Sequence, residues 1–201
     1  VGKNVVRNKF LKRLHSIDSS IKIWFISSVF KPIRGKELFS SSKDIIKIAN
    51  EHNNSIGNIA LHYEMELLGI NEEDARNEMD KRLQIMIESV KSGFDKNKIS
   101  MTLTKPSAKK IIDSENSENC AIGGIYLRAA ARAMATMHID NSMGVVCAAP
   151  TGGSAGVLAG ILTTLIKEKK IDRQKAVDIL FAASAIGILI AKRATFSAEL
   201  A

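Results

Sequence analysis

The chain has 201 residues, of which 29 are Lys or Arg and 21 are Asp or Glu, giving a formal net charge of +8 at pH 7. A nucleic-acid-binding domain carries its excess of basic side chains on its folded surface, but here eight basic residues and a single acid fall within residues 1–35. Residues 36–201 are nearly neutral, which excludes a polyanion-binding domain in that part of the chain and predicts no nucleic-acid partner. With 45% apolar and 25% charged residues, wholesale disorder is also excluded.

Residues 1–35 form a basic N-terminal segment that we expect to be a loosely ordered extension. Its apolar stretch at 21–30 is too short to cross a bilayer and lacks a cleavage site, which disfavours a signal peptide. A basic amphipathic contact with a membrane or RNA remains an alternative. The two cysteines, Cys120 and Cys147, are too few for a disulfide framework and have no CxxC spacing, which favours a reducing cytoplasm.

Three helices are predicted between residues 40 and 93, each with a polar cap before an apolar periodic segment. The second should stop at a glycine in the left-handed conformation, and the third begins with three acids, which suit a helix N-terminus. The cap and stop residues are, in chain order, Ser41 or Ser42, Ser55 and Gly69, and Asn71 and Gly93. Residues 94–120 are polar and predict a linker or a mobile loop, which could also be a lid.

The composition changes at residue 121, because 18 of the 22 alanines and 8 of the 13 glycines lie from there onward, with only five acids. Small residues allow close helix packing, and no strand-like alternation competes. Helices are predicted at 124–137, 154–168, 172–183 and 184–194, the third capped by Asp172. The predicted fold is therefore all-α, a compact helical domain with core helices rich in small residues.

The uncharged run at 141–166 is long enough to raise the alternative of a membrane span. Pro150 and the polar residues 151–154 would place a polar turn in the middle of any span. Buried helices of a water-soluble protein fit better, so no membrane partner is predicted.

A glycine-rich turn lies within residues 143–156, MGVVCAAPTGGSAG, and leads directly into an apolar helix. Pro150 fixes the entry, the glycines widen the allowed backbone conformations, and Thr151 and Ser154 offer hydroxyl groups. Free N–H groups at such a helix N-terminus can bind an anion, a carboxylate as well as a phosphate. The turn lacks the lysine of a P-loop, which disfavours nucleotides. The alternative is a plain turn between two packed helices.

The run AAPTGGSAGVLAG, with NSMG before it and AASAIGILIAKRATFS after it, resembles the alpha chain of iron-sulfur-dependent L-serine dehydratases. Residues 43–66 and 77–90 are similar to the family's opening helices, so the resemblance covers about residues 36–201. We therefore expect a basic extension at 1–35 and an alpha-chain-like catalytic domain at 36–201. Family members continue into a segment with the cluster cysteines, so we expect this domain to be C-terminally incomplete, with those cysteines beyond Ala201.

The resemblance implies a lyase of amino-acid catabolism that converts L-serine to pyruvate, a precursor for gluconeogenesis, and ammonia in the cytoplasm. It implies a metal-binding enzyme with a 4Fe-4S cluster and no pyridoxal phosphate, whose open iron acts as a Lewis acid on the leaving hydroxyl. It further implies a beta chain or beta domain as partner, with a homodimer as one assembly open to it. Neither Cys120 nor Cys147 matches a cluster ligand, so no metal ligand is expected in this chain, which should be inactive alone.

The resemblance and the physics of helix termini together assign candidate site residues. The expected substrate-binding residues are Thr151, Gly152, Gly153, Ser154 and Asn141. His138, close before the turn, is the best placed candidate for the catalytic base, although a histidine near a helix end can equally be a cap or a core partner.

Two other functions stay open at this point. A related cysteine desulfidase-type lyase would use the same elimination, and nothing in these residues fixes the leaving group. The chain could also be a non-catalytic helical bundle, or a membrane-associated protein attached through its basic N-terminus.

Overall fold

The structure is a computed structural model that describes residues 2–18, 20, 25–26, 32–149 and 153–194, with side chains from Phe10 onward except those of the two short strands. In chain order the elements are α1 (Gly2–Ile17), β1 (Phe25–Ile26), β2 (Pro32–Ile33), α2 (Ser42–His52), α3 (Ile56–Leu68), α4 (Glu72–Ser92), a 3₁₀ turn (Lys96–Lys98), α5 (Ala108–Asn116), α6 (Ile125–Asn141), α7 (Ser154–Glu168) and α8 (Arg173–Ala191). The strands are two residues each and pair antiparallel, with Phe25 opposite Ile33. The predicted all-α class is confirmed.

The helix starts follow the predicted caps. The side chains of Ser41, Ser55, Asn71 and Asp172 each accept a hydrogen bond from a backbone N–H in the first turn of α2, α3, α4 and α8. Each cap satisfies one of the N–H groups that a helix start leaves without an internal partner. Gly69 ends α3 with φ of 63°, the left-handed conformation predicted for it.

Three predictions about the helices are wrong. Residues 94–120 are not a linker or loop throughout, because they contain α5, whose first residue Ala108 is fully buried. The helices predicted at 172–183 and 184–194 are one helix, α8, since Phe181 and Ala185 lie on the same buried face across the expected break. Residues 2–17 form the helix α1 where a loosely ordered segment was expected. The division at residue 35 stays a prediction.

Helix α4 lies at the centre of the fold and contacts α3, α6, α7 and α8. Its side chains Leu83, Met86 and Val90 are buried in the core. The hydroxyl groups of Ser89 on α4 and Thr136 on α6 lie 3.3 Å apart in a buried hydrogen bond. Each hydroxyl also donates to a carbonyl oxygen of its own helix, so both buried polar groups are satisfied.

Helices α6 and α7 cross closely because glycines face the crossing. A Cβ atom placed on Gly160 would lie 2.6 Å from the backbone nitrogen of Ala133 and 2.7 Å from the carbonyl oxygen of Ala129. No such contact occurs between real atoms of this kind, so the crossing requires glycine. Gly156 is similarly placed, since a Cβ there would lie 2.7 Å from the carbonyl oxygen of Ala133.

Helix α8 is the one helix in the described ranges that is long and apolar enough to cross a membrane by length and composition. Core helices of soluble proteins pass the same test. One face of α8 is buried on α3 through side chains such as Val177 and Leu180, while Ile186 and Ile190 are about half exposed.

Candidate functional site

A cavity of about 340 Å³ lies between α3, α4, α7, α8 and the segment that precedes the glycine-rich turn. Its volume is in the range of small-ligand sites. Apolar side chains form most of its wall, with a few polar groups among them. The described residues that line it are Glu64, Leu68, Ile70, Ala75, Glu78, Met79, Arg82, Met86, Cys147, Ala148, Leu158, Leu180, Phe181 and Ser184.

The cavity borders both flanks of the glycine-rich turn. Cys147 and Ala148 precede the turn, Leu158 lies in the first turns of α7 after it, and all three line the cavity. Gly153 is the N-cap of α7 and provides no side-chain cap. The first N–H groups of a helix have no internal partner, so this end of α7 carries donors without a side-chain cap.

Three charged side chains line the cavity at its α3–α4 side, those of Glu64, Glu78 and Arg82. Arg82 donates from Nη1 to the carbonyl oxygen of Glu78 at 2.6 Å, and the same nitrogen lies 3.4 Å from Glu78 Oε2. Lys81, which does not line the cavity, donates from Nζ to Glu78 Oε1 at 2.6 Å. The Lys81 hydrogen bond, with a weaker contribution from Arg82, holds the pKa of the Glu78 carboxyl below its usual range. Glu64 is half-buried and also has a polar partner.

Cys147 places a thiol in the cavity wall. It is half-buried and packs against the core. Burial raises the pKa of the Cys147 thiol, and the positive charge of Arg82 acts in the opposite direction. The thiol is therefore protonated near neutral pH, and the guanidinium of Arg82 is close enough to influence it.

His138 lies on α6 and does not line the cavity. It is 5% exposed. The backbone N–H of Ser107 donates to its Nε2 at 3.3 Å, and its Nδ1 is buried with no hydrogen-bond partner among the described residues. The imidazole thus holds the segment before α5 against α6, as expected for a histidine that serves as a core partner. Its role as the catalytic base stays a prediction.

The predicted substrate-binding residues are only partly described. Thr151 and Gly152 lie outside the described residues. Gly153 is exposed at the start of α7, Ser154 is half-buried and has a polar partner, and Asn141 is the exposed last residue of α6. None of these three is among the described residues lining the cavity, although the turn's flanks are.

Sequence reasoning missed Arg82 and Glu64. Both lie on helices remote in sequence from the turn, and only the packing of α3 and α4 against α7 and α8 places them beside it. Their side chains fall within ordinary amphipathic patterns, so no local signal distinguishes them from solvent-facing charges.

A partly buried ion network joins α5, α6 and α7. Arg132 is 8% exposed and donates to Thr164 Oγ1 at 2.7 Å and to Glu168 Oε1 at 2.8 Å. Arg128 donates to Glu168 Oε1 at 3.2 Å and to Glu115 Oε1 at 2.7 Å. These bonds satisfy charges that would be costly to bury alone, so the network is structural.

Comparison with known proteins identifies the family. The sequence profile described as "Serine dehydratase alpha chain" matches residues 46–201. The chain is 31% identical over 160 residues to the "Probable L-serine dehydratase, alpha chain" of Bacillus subtilis, covering 80% of this chain and 53% of that protein. It is 26% identical over 161 residues to the "L-serine dehydratase, alpha chain" of Peptoniphilus asaccharolyticus, covering 80% and 55%.

A third relative matches a shorter region more strongly. This is the "Probable L-serine dehydratase, alpha chain" of Latilactobacillus sakei, which is 46% identical over 70 residues, or 35% of this chain and 34% of that protein. The chain spans about half the length of the two relatives that it matches most extensively. The helical fold, the glycine-rich turn beside a cavity and these matches agree, and the chain belongs to the serine dehydratase alpha-chain family.

Proposed function

We propose that this chain is part of a lyase that deaminates L-serine to pyruvate and ammonia. The family supports a serine dehydratase. The observation in this structure that supports the proposal is the cavity of about 340 Å³ whose wall includes both flanks of the glycine-rich turn. A cavity of this size accommodates a small amino acid together with the groups that position it.

The reaction is an α,β-elimination. A base removes the α proton, and the β hydroxyl takes up a proton and leaves as water. The resulting 2-aminoacrylate tautomerises to an imine that water hydrolyses to pyruvate and ammonia. The α proton is weakly acidic, so donors on the substrate carboxylate assist its removal by stabilising the charge that develops. The apolar wall, including Leu158 and Phe181, limits the water around the reacting atoms.

The carboxylate is proposed to bind at the glycine-rich turn. The residues assigned to this role are Thr151, Gly152, Gly153, Ser154 and Asn141. What supports the assignment is the start of α7, a helix of 15 residues whose N-cap Gly153 provides no capping side chain. Its N–H groups and helix dipole favour an anion there.

His138 is the proposed base, and it lies on α6 outside the cavity wall. Its buried Nδ1 without a described partner is an unusual arrangement that a bound group or water would explain. Replacement by Gln should lower kcat strongly if the imidazole takes the proton, whereas the same change at the exposed His52 should have no effect.

The described residues do not fit a 4Fe-4S cluster. No group of three or more His, Cys, Asp or Glu side chains that could hold a metal occurs among them. Cys120 precedes α6 and Cys147 lies in the cavity wall. The iron-sulfur dependence of the enzyme is proposed from the family alone, with ligands supplied outside the described residues.

The proposed assembly includes a beta chain or beta domain, because the relatives are named as alpha chains. The proposed location is the cytoplasm, with no membrane or nucleic-acid partner.

The test is turnover by a complete alpha chain carrying these residues, purified with its beta part under anaerobic conditions. L-Serine should yield pyruvate and ammonia in equal amounts. Ser154→Ala should raise KM for L-serine, while Ser117→Ala, at the exposed end of α5, should not. Preferential turnover of L-cysteine with release of sulfide would favour the desulfidase alternative, and no turnover of either amino acid would contradict the proposal.

A further inference from the structure

We propose that Arg82 binds the carboxylate of the amino-acid substrate at the mouth of the cavity. This inference rests on the proposed function and names a residue of the site outside the glycine-rich turn. Arg82 lies on α4 and lines the cavity, and its side chain is about half exposed, which places it where the cavity meets solvent.

Arg82 supplies the positive charge of this site. Of the described residues lining the cavity, it is the only cationic one, and Glu64 and Glu78 are the anionic ones. A small amino acid enters with a carboxylate that needs a partner, because an unpaired charge in an apolar wall is costly. The planar guanidinium presents donors in a geometry that matches a carboxylate with two parallel hydrogen bonds.

The guanidinium of Arg82 has N–H donors that the described hydrogen bonds do not use. Among the described residues only Nη1 of Arg82 makes hydrogen bonds, to the carbonyl oxygen and more distantly to Oε2 of Glu78. The 3.4 Å contact to Oε2 is weak, and Glu78 keeps a closer partner in Lys81 at 2.6 Å. A substrate carboxylate can therefore take the Arg82 donors without leaving Glu78 unpaired.

Arg76, on the same helix, is a structural arginine with which Arg82 can be compared. Its Nε donates to Glu72 at 2.7 Å and its Nη1 to Asp178 at 2.8 Å, and its side chain is 24% exposed. Those two close bonds raise the pKa of Arg76. Arg82 has no such pair of close carboxylates among the described residues, which distinguishes it as a group available to a ligand.

The position of Arg82 also connects it with the turn. Its charge acts on the thiol of Cys147, which lies in the segment that leads into Pro150. Arg82 and Cys147 both line the cavity, so a carboxylate on Arg82 would share its wall with this segment. A carboxylate oxygen accepts more than one hydrogen bond, so binding to Arg82 leaves acceptor sites for the donors that the proposed function places at the glycine-rich turn.

Steady-state kinetics of the complete enzyme give the first test. Arg82→Gln should raise KM for L-serine by about tenfold to a hundredfold, the loss expected for a hydrogen-bonded charge pair, with a much smaller change in kcat. Arg82→Lys should fall between, because an ammonium cannot form two parallel bonds. The matched control is Lys81→Gln. It also removes a positive charge that pairs with Glu78, but Lys81 lies outside the cavity wall, so the variant should leave KM within about twofold.

Protection of Cys147 from alkylation gives a second test that does not require turnover. L-Serine should slow the reaction of N-ethylmaleimide with Cys147, followed by mass spectrometry of the peptide that contains it. In Arg82→Gln the serine concentration that gives half protection should rise by about tenfold or more, and in Lys81→Gln it should not change. Ethanolamine, which lacks the carboxylate, should protect the wild type and Arg82→Gln equally. Circular dichroism checks that each variant is folded.

The outcomes separate this inference from the proposed function. Wild-type KM and wild-type protection in Arg82→Gln would overturn the role of Arg82 and leave the reaction intact. Protection by L-serine that depends on Arg82, without any production of pyruvate, would support the carboxylate site and overturn the reaction. Neither turnover nor protection would overturn both.

Discussion

Replacement of Gly160 by alanine should destabilise the fold, although alanine favours a helix. The added Cβ would lie 2.6 Å from the nitrogen of Ala133 and 2.7 Å from the oxygen of Ala129, both backbone atoms of α6. Overpacking of this kind costs about 1–3 kcal/mol, and the gain in helix propensity returns about 1 kcal/mol. Backbone atoms cannot move aside as a flexible side chain can, so the cost should lie near 3 kcal/mol and the free energy of unfolding should fall by about 2 kcal/mol.

Gly187 on α8 provides the matched control, since a Cβ there would meet no atom of the described residues within 4 Å. Gly187→Ala should raise the free energy of unfolding by about 0.5–1 kcal/mol through propensity alone. Urea denaturation followed by circular dichroism should give midpoints of the two variants that differ by about 1 M or more. Equal midpoints, or a Gly160→Ala variant more stable than wild type, would refute the close crossing of α6 and α7.

Three further predictions concern charges and caps. Arg132→Met should lower the free energy of unfolding by about 1–3 kcal/mol, because the buried hydroxyl of Thr164 loses its donor. Lys47→Met, which breaks the exposed pair with Glu51, should change it by less than about 0.5 kcal/mol in the same urea titration. The hydrogen bond from Arg132 holds the pKa of Glu168 below its usual range. The stabilisation by this ion pair is therefore present above the usual glutamate pKa of about 4.3 and is lost as the pH falls below it. The free energy of unfolding of Arg132→Met should depend less steeply on pH in that window, and a pH dependence identical to that of the wild type would contradict the role of this pair. Asp172→Ala should cost about 1 kcal/mol in thermal or urea unfolding, because the carboxylate accepts the N–H of Lys175 at 2.8 Å, while Asp172→Asn should keep most of the stability.

The sequence predicts the helices whose ends carry chemical signals. Ser55 and Gly69 bracket α3, and Asp172 starts α8, because capping is a local property that neighbouring residues determine. Helix α5 lacks such a signal, since Ser107 makes no side-chain cap bond and the helix spans nine residues. Its formation depends on packing against α6, which a local pattern does not show.

The glycine-rich turn could be singled out from sequence, but the cavity beside it could not. The cavity wall combines Glu64 of α3, Arg82 of α4, Cys147 and residues of α7 and α8, and their proximity is a result of tertiary packing. His138 shows the converse, because proximity to the turn in sequence does not bring the imidazole into the cavity wall. Sequence neighbours of a motif are weaker site candidates than side chains that share its cavity.

The most direct test of this account is a crystal structure of the complete enzyme with a bound, unreactive analogue of L-serine that keeps the carboxylate. We expect the analogue to occupy the cavity between α4 and α7, with its carboxylate within hydrogen-bonding distance of Arg82 and of the N-terminus of α7. An analogue bound elsewhere, with Arg82 still directed to Glu78 and the cavity empty, would contradict the account.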